Sequence, residues 1–302
     1  MSEGGQVKVA LTFDFDGLSS YISLGARTPT MLSRGEFSPI GVERILALLE
    51  QHDAPATFFV PGHTALLFSE LVREIDRRGH EIAHHGFVHE NPTTLSPEEE
   101  ERALDRGTEA LERITGRAPT GYRSPAWDLS AHSVALLVDR GFSYESSMMG
   151  SDYEPYWCRV GDEASSTEPF MMGSPVDLVE LPVAWHLDDF PYFERLYTSN
   201  LLSVGLRLPE EAERIWLGEF DYLHDEVGDG LLTLTMHPEV IGRGHRIGLL
   251  GRVLEHVSAR PYARFVTCEA AARDWRSGRR PELPKWFSGP AEASRDERGE
   301  GS

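Results

Sequence analysis

The stretch Val7–Gly17, VKVALTFDFDG, runs from strand-forming residues straight into two acidic side chains and a glycine. Side chains alternate between the two faces of an extended strand. Val9, Leu11, Phe13 and Phe15 therefore take one face, and Thr12, Asp14 and Asp16 take the other. Two carboxylates project the same way at the strand's end. Neighbouring carboxylates repel unless a cation or a shared proton lies between them, so the pair calls for a metal, an arginine or a raised pKa.

Outward from this strand, strand-like and helix-like segments alternate. Leu18–Ser38, rich in Ser, Gly, Thr and Pro, reads as a long loop at the strand's C-terminal end. Gly41–His52 carries Val42, Ile45, Leu46 and Leu49 at helical spacing, and Ala56–Val60 follows as a strand closed by Pro61-Gly62. Ala65–Arg78 reads as a helix, His80–His84 as a short strand, and Ser96–Thr115 as a helix with Ser96 as cap and Pro97 in its first turn. Thr120–Arg123 and Phe142–Ser146 read as strands around a helix at Ser130–Arg140. Between Met148 and Pro175 the rhythm fails in a segment rich in aromatic residues and methionine, read either as a pocket lid or as a subunit contact. Strands at Leu178–Val183, Leu231–Met236 and Arg264–Thr267 then alternate with helices at Pro209–Glu226, His245–Ser258 and Cys268 to about Arg276.

Seven or eight such units predict an α/β fold built on a parallel sheet. FDFDGLSS lacks the repeated glycines of a dinucleotide-binding turn, which favours a closed barrel over an open doubly wound sheet. In such barrels the chemistry sits at the C-terminal ends of the strands, where Asp14 and Asp16 fall. Residues 1–280 are expected to form one catalytic domain with an insertion at about 148–176, and residues 281–302 a polar tail.

Composition narrows the partners. The chain has 302 residues, 40% of them hydrophobic, and a formal charge of -20, which excludes a phosphate-binding basic face and hence a nucleic-acid partner. Cys158 and Cys268 stand far apart and form no ligand spacing, which predicts a reducing compartment. MSEGGQ offers neither a charged start nor an apolar core for a signal peptide, and no run approaches the length of a membrane span. The expectation is a cytoplasmic protein with no membrane partner.

A second cluster, HEIAHHGFVHENP over His80–Pro92, holds four histidines in ten residues. His85 and His89 stand four apart, a spacing that puts two imidazoles on one face of a helical turn, with Gly86 letting the chain bend between them. His84 is the alternative to His85. Two histidines and one carboxylate leave an open position for water, which is the arrangement of catalytic zinc.

LTFDFDG, ATFFVPG, GHEIAHHGFVHENP, GYRSPAW and LTMHP resemble, in this order, the signature motifs of the polysaccharide deacetylase family, the NodB-homology carbohydrate esterases, over about Val7–Thr267. The resemblance implies a distorted (β/α) barrel of about seven parallel strands, a divalent metal, most often zinc, and hydrolysis of a non-peptide C–N bond by metal-bound water. It implies Asp16, His85 and His89 as metal ligands and Asp14 as the general base. Arg123 would hold Asp14 charged, the Ala126 N–H would join the oxyanion hole, and His237 would act as the general acid. Asp188 or Asp189 would support His237, and the sequence does not choose between them.

The family pattern TFDDG has here become TFDFDG, and Gly86 replaces the hydroxyl residue of HSxxH. With GYRSPAW, SSMMG and HPEVIGRGHR, these departures resemble the branch that includes peptidoglycan-deacetylase-like proteins, allantoinase-like enzymes and cyclic imide hydrolases. That branch implies a small amide, ureide or cyclic imide as substrate and a homo-oligomer, often a tetramer. The alternatives are an N-deacetylase of amino-sugar polymers of the chitin or peptidoglycan type, and a binding protein that keeps the barrel without chemistry. Arg243, His245 and Arg246 read as the start of the following helix or as a site for a substrate carboxylate.

Overall fold

The computed structural model describes residues 6–197 and 202–284. β1 spans Val7–Asp14. Its faces separate as alternation requires: Val9, Leu11, Phe13 and the following Phe15 join Val42, Ile45 and Leu49 of the helix Ser38–Gln51 in the main core. Ala10 turns inward to meet Phe59, Ala83, Tyr144 and Val179 inside the barrel. Each such fully buried large apolar side chain contributes about 1.5–3 kcal/mol relative to exposure.

The remaining strands are β2 (Thr57–Val60), β3 (Glu81–His84), β4 (Gly121–Tyr122), β5 (Tyr144–Glu145), β6 (Tyr156–Val160), β7 (Ser174–Glu180), β8 (Arg195–Tyr197), β9 (Leu202–Val204), β10 (Gly230–Met236) and β11 (Ala263–Val266). The main sheet runs β10-β1-β2-β3-β4-β5-β7-β6, with β11 also on β1. Every pairing in it is parallel except β6 with β7. One edge of β1 is taken by β10 from Val7 to Phe13. Its other edge is shared end to end, β11 beside Val7–Ala10 and β2 beside Thr12–Asp14. Beyond β7 the chain returns to β10 through a single parallel bridge, Asp188 to Thr235. The result is the expected distorted parallel barrel, closed on its last side by the segment that carries Asp188 and Asp189.

Four expectations are corrected. Leu18–Ser38 is not a loop, since it holds the helices Ser19–Ser23 and Pro29–Glu36, the second opened by Pro29 in its first turn. Ala65–Arg78 is two helices, Gly62–Leu67 and Ser69–Arg77, broken where Phe68 leaves helical backbone and its ring stacks 5.8 Å from Phe15. The strand expected to start at Leu178 starts at Ser174, because β6 pairs with its N-terminal half.

The fourth concerns the segment after Met148. Tyr156 faces Glu180 and Val160 faces Ser174, so the chain runs down the barrel and turns at the end opposite Asp14. Its tip is not a lid over the site. Trp157 is buried and sits 5.1 Å from Trp275 of the helix Cys268–Arg276. No helix among the described residues is long and apolar enough to cross a membrane. The expected polar tail lies outside the described residues beyond Pro284.

Candidate active site

Asp16 follows β1 and faces the loop after β3. His85 Nε2 stands 3.4 Å from Asp16 Oδ1, and His89 Nε2 stands 3.3 Å from Asp16 Oδ2. Two donors each about 2.1 Å from one ion at a tetrahedral angle are about 3.4 Å apart, so this spacing fits a zinc-sized cation. Asp16 Oδ1 is buried with no hydrogen-bond partner, an orphan that a cation would satisfy. Burial pushes the Asp16 carboxyl up to about 6 and the His89 imidazole down to about 4, and it lowers His85 as well. Neutral imidazoles are what metal ligation requires. The three residues fit a divalent metal.

The imidazoles do not meet on a helical turn, as their spacing predicts. Gly86 and His89 both adopt left-handed backbone, at φ 73 and 62, and the loop between them is folded by Glu90, which accepts the N–H groups of Phe87 and Val88. His85 Nδ1 lies 2.7 Å from the Arg123 carbonyl, which fixes the proton there and leaves Nε2 to face Asp16. His84 points elsewhere. Its Nδ1 accepts the Gly86 N–H and its Nε2 donates to the Leu104 carbonyl at 3.0 Å, against a helix that Gly107 lets approach.

Asp14 lies on the same face. Its Oδ1 accepts from Arg123 at 2.8 Å, while its Oδ2 faces His85 Nε2 at 3.9 Å. Burial alone would raise this carboxyl, but the Arg123 guanidinium with His85 and His237 holds it below its usual value. Arg123 is fully buried. Its Nε donates to the Ser146 carbonyl at 2.9 Å, its other nitrogens reach Ser146 Oγ and Thr12 Oγ1, and its plane lies 4.2 Å over Phe59. Removing one member of so deeply buried a pair typically costs about 3–5 kcal/mol. Asp14 is thus charged, oriented, and free on one oxygen to accept a proton.

His237 closes β10. Its Nδ1 lies 2.8 Å from Asp189 Oδ1, and its own N–H is also accepted by the Asp189 carboxylate. Asp188 stands farther off at 3.6 Å and accepts the Phe190 N–H. Asp189 is the partner that the sequence left unchosen. Burial alone would lower His237, yet the Asp189 hydrogen bond and the charges of both aspartates hold it well above an ordinary histidine. Asp188, Asp189 and His237 also lie close enough to surround an ion, but the Nδ1 bond makes this nitrogen a proton donor rather than a ligand. Ala126 lies exposed in a turn at φ 58, followed by Trp127 at φ 52 whose N–H is bonded to the Ser124 carbonyl.

Sequence reasoning missed the residues that fix these groups. Thr12 and Ser146 hold Arg123, and Glu145 and Glu180 both accept the Ser147 N–H, setting the loop that carries Ser146. Glu90 had a signal, being the acid next to His89. Ser146 and Glu180 had none, since their partners are distant in sequence.

The sequence model of the polysaccharide deacetylase family matches residues 2–144. The chain is 34% identical to a peptidoglycan deacetylase of Helicobacter pylori, over 89% of this chain and 96% of that protein. A crystal structure of a Mycobacterium smegmatis protein assigned to the polysaccharide deacetylases superposes with a TM-score of 0.80 at 35% identity, covering 94% of this chain and 97% of that one. A PuuE allantoinase shares the fold, with a TM-score of 0.73 at 21% identity over 92% of each chain. The family match and the Helicobacter relative favour the amino-sugar alternative over the small-amide expectation. The chain belongs to the polysaccharide deacetylase family of NodB homology, metal-dependent hydrolases of carbon–nitrogen bonds other than peptide bonds.

Proposed function

We propose that this protein removes N-acetyl groups from amino sugars of the peptidoglycan type, using zinc at Asp16, His85 and His89. The observation that carries the reading is a lowered carboxylate, Asp14, and a raised imidazole, His237, both within electrostatic reach of Asp16. Two titratable groups pushed in opposite directions are the signature of a base and an acid. The substrate class follows the Helicobacter relative, which is similar over nearly its whole length.

A divalent ion bound there supplies Lewis acidity to water and to the amide carbonyl. Asp14 takes a proton from the attacking water as its oxygen bonds to the carbonyl carbon. The Ala126 N–H is assigned to the oxygen on which charge develops, from its place after Pro125 in the GYRSPAW motif. His237, held protonated by Asp189, donates its proton to the nitrogen as the C–N bond breaks, releasing acetate and a free amine. Arg123 holds Asp14 charged until Asp14 takes the water's proton, so that it starts each cycle as the base.

The test is acetate release from peptidoglycan and chitin oligomers by metal-loaded protein, run beside a panel of amides, ureides and cyclic imides. Acetate release that stops on chelation and returns with zinc is expected. Ring opening of an imide or ureide without any acetate release would overturn the substrate class, and full activity in metal-free protein would overturn the metal.

A further inference from the structure

Arg243, His245 and Arg246 take no part in the acid, the base or the metal group. They line a cavity of about 500 Å³ with Arg34, Arg195 and Glu194. Two of its cations share one anion. Arg34 and Arg246 both pair with Glu194, whereas Arg243 has no carboxylate partner among the described residues. Arg243 Nε donates to the Glu239 carbonyl at 3.2 Å, and its plane lies 3.8 Å over Phe37. Arg246 is held similarly, 4.9 Å over Phe193 with an N–H to the Phe193 carbonyl at 3.2 Å. Burial and mutual repulsion lower Arg243, and burial lowers Arg246. In a chain of net charge -20, such a gathering of guanidinium groups is a local exception that an anion would relieve.

Its place makes the anion part of the substrate. Arg243 lies six residues past His237, across the helix Pro238–Ile241, a rise of about 9 Å at helical spacing. The Phe193 carbonyl that receives Arg246 ends the helix Phe190–Phe193, which directly follows Asp189. The cavity and the acid therefore share both supports.

We propose that Arg243, with Arg246 and Arg34, binds a carboxylate carried by the substrate beside the amide that is cleaved, so that the enzyme prefers acidic N-acetyl amino sugars over neutral ones. A planar guanidinium fork matches a carboxylate in both geometry and charge. The inference rests on the deacetylase reading for its substrate, but its test does not rest on turnover alone.

The probes are N-acetylmuramic acid oligomers with the lactyl carboxylate free or methyl-esterified. In metal-loaded wild type, esterification is expected to lower kcat/KM about tenfold, chiefly through KM. In Arg243→Gln and Arg246→Gln the gap between acid and ester is expected to close. Calorimetric binding of N-acetylmuramic acid against its methyl ester supplies the second readout. Acid-selective binding lost in Arg243→Gln upholds the cavity even if no acetate is released, in which case only the deacetylase reading fails. Equal binding of acid and ester by wild type, or an equal loss on both substrates in the variants, overturns it.

Discussion

Two imidazoles face the Asp16 carboxylate and the charge of a third, His237, reaches it, yet the two places treat the same chemical group in opposite ways. On the loop after β3, burial dominates, so His85 and His89 are held neutral with their Nε2 atoms turned to one point. At the end of β10, an equally buried ring faces two aspartates, and His237 is held charged. Desolvation is common to both sides, so the partner of Nδ1 decides the outcome. A neutral carbonyl behind His85 fixes a tautomer, whereas a carboxylate behind His237 fixes a charge.

The largest test of that contrast is His85→Ala. It is expected to empty the site of metal and to lower acetate release roughly a thousandfold or more, read by metal content per chain beside turnover. A variant that keeps both would mean that the neutral side is not a ligand set. Next is Asp14→Asn, expected to keep the metal while kcat falls about 10²–10⁴-fold, the range of a general base. Metal loss in this variant would show the two aspartates to have exchanged roles.

A smaller effect is expected on the charged side. Asp189→Asn removes the charge that raises His237 and leaves Nδ1 only a weaker, neutral acceptor, so its pKa should fall and the alkaline limb of the kcat profile should move to lower pH, with kcat lowered about 10–100-fold. Asp188→Asn should move that limb less, because Asp188 stands farther from Nδ1. Equal shifts in the two variants would make the charged side a shared field rather than one bond. Smallest is Gly86→Ala, which forces a side chain into left-handed backbone against Pro125 and is expected to lower stability by about 1–2 kcal/mol in urea unfolding.

The strand that ends at Asp14 and leads into Asp16 was legible in full, because alternation over eight residues leaves one assignment of faces. The helix Pro97–Thr115 was equally plain, its Ser96–Glu99 capping box being a local pattern. The second cluster was half legible. Its residue types pointed to a metal, but a spacing of four suggested a helical turn where left-handed residues and Glu90 build a loop instead. Asp189 could not be told from Asp188, since adjacent residues differ only in which way the backbone turns them. The antiparallel strand Tyr156–Val160 was hidden because its pairing with β7 is tertiary and its aromatic residues suit a lid as well as a strand.

The sharing of one edge of β1 by β2 and β11, with β10 on the other, has a consequence for how the chain is made. β1 leaves the ribosome more than two hundred residues before the strands that cover it, since Val7 pairs with Gly230 and with Ala263. At about 5–20 residues per second, that is a delay of roughly 10–50 s. Through it, β2 can cover only Thr12–Asp14, and the edges of β1 that β10 and β11 will take stay open to other strands. The two carboxylates at the end of β1 carry like charges that discourage such pairing before they have any metal to hold. The same side chains that serve the finished cleft then also keep the nascent chain from joining its neighbours.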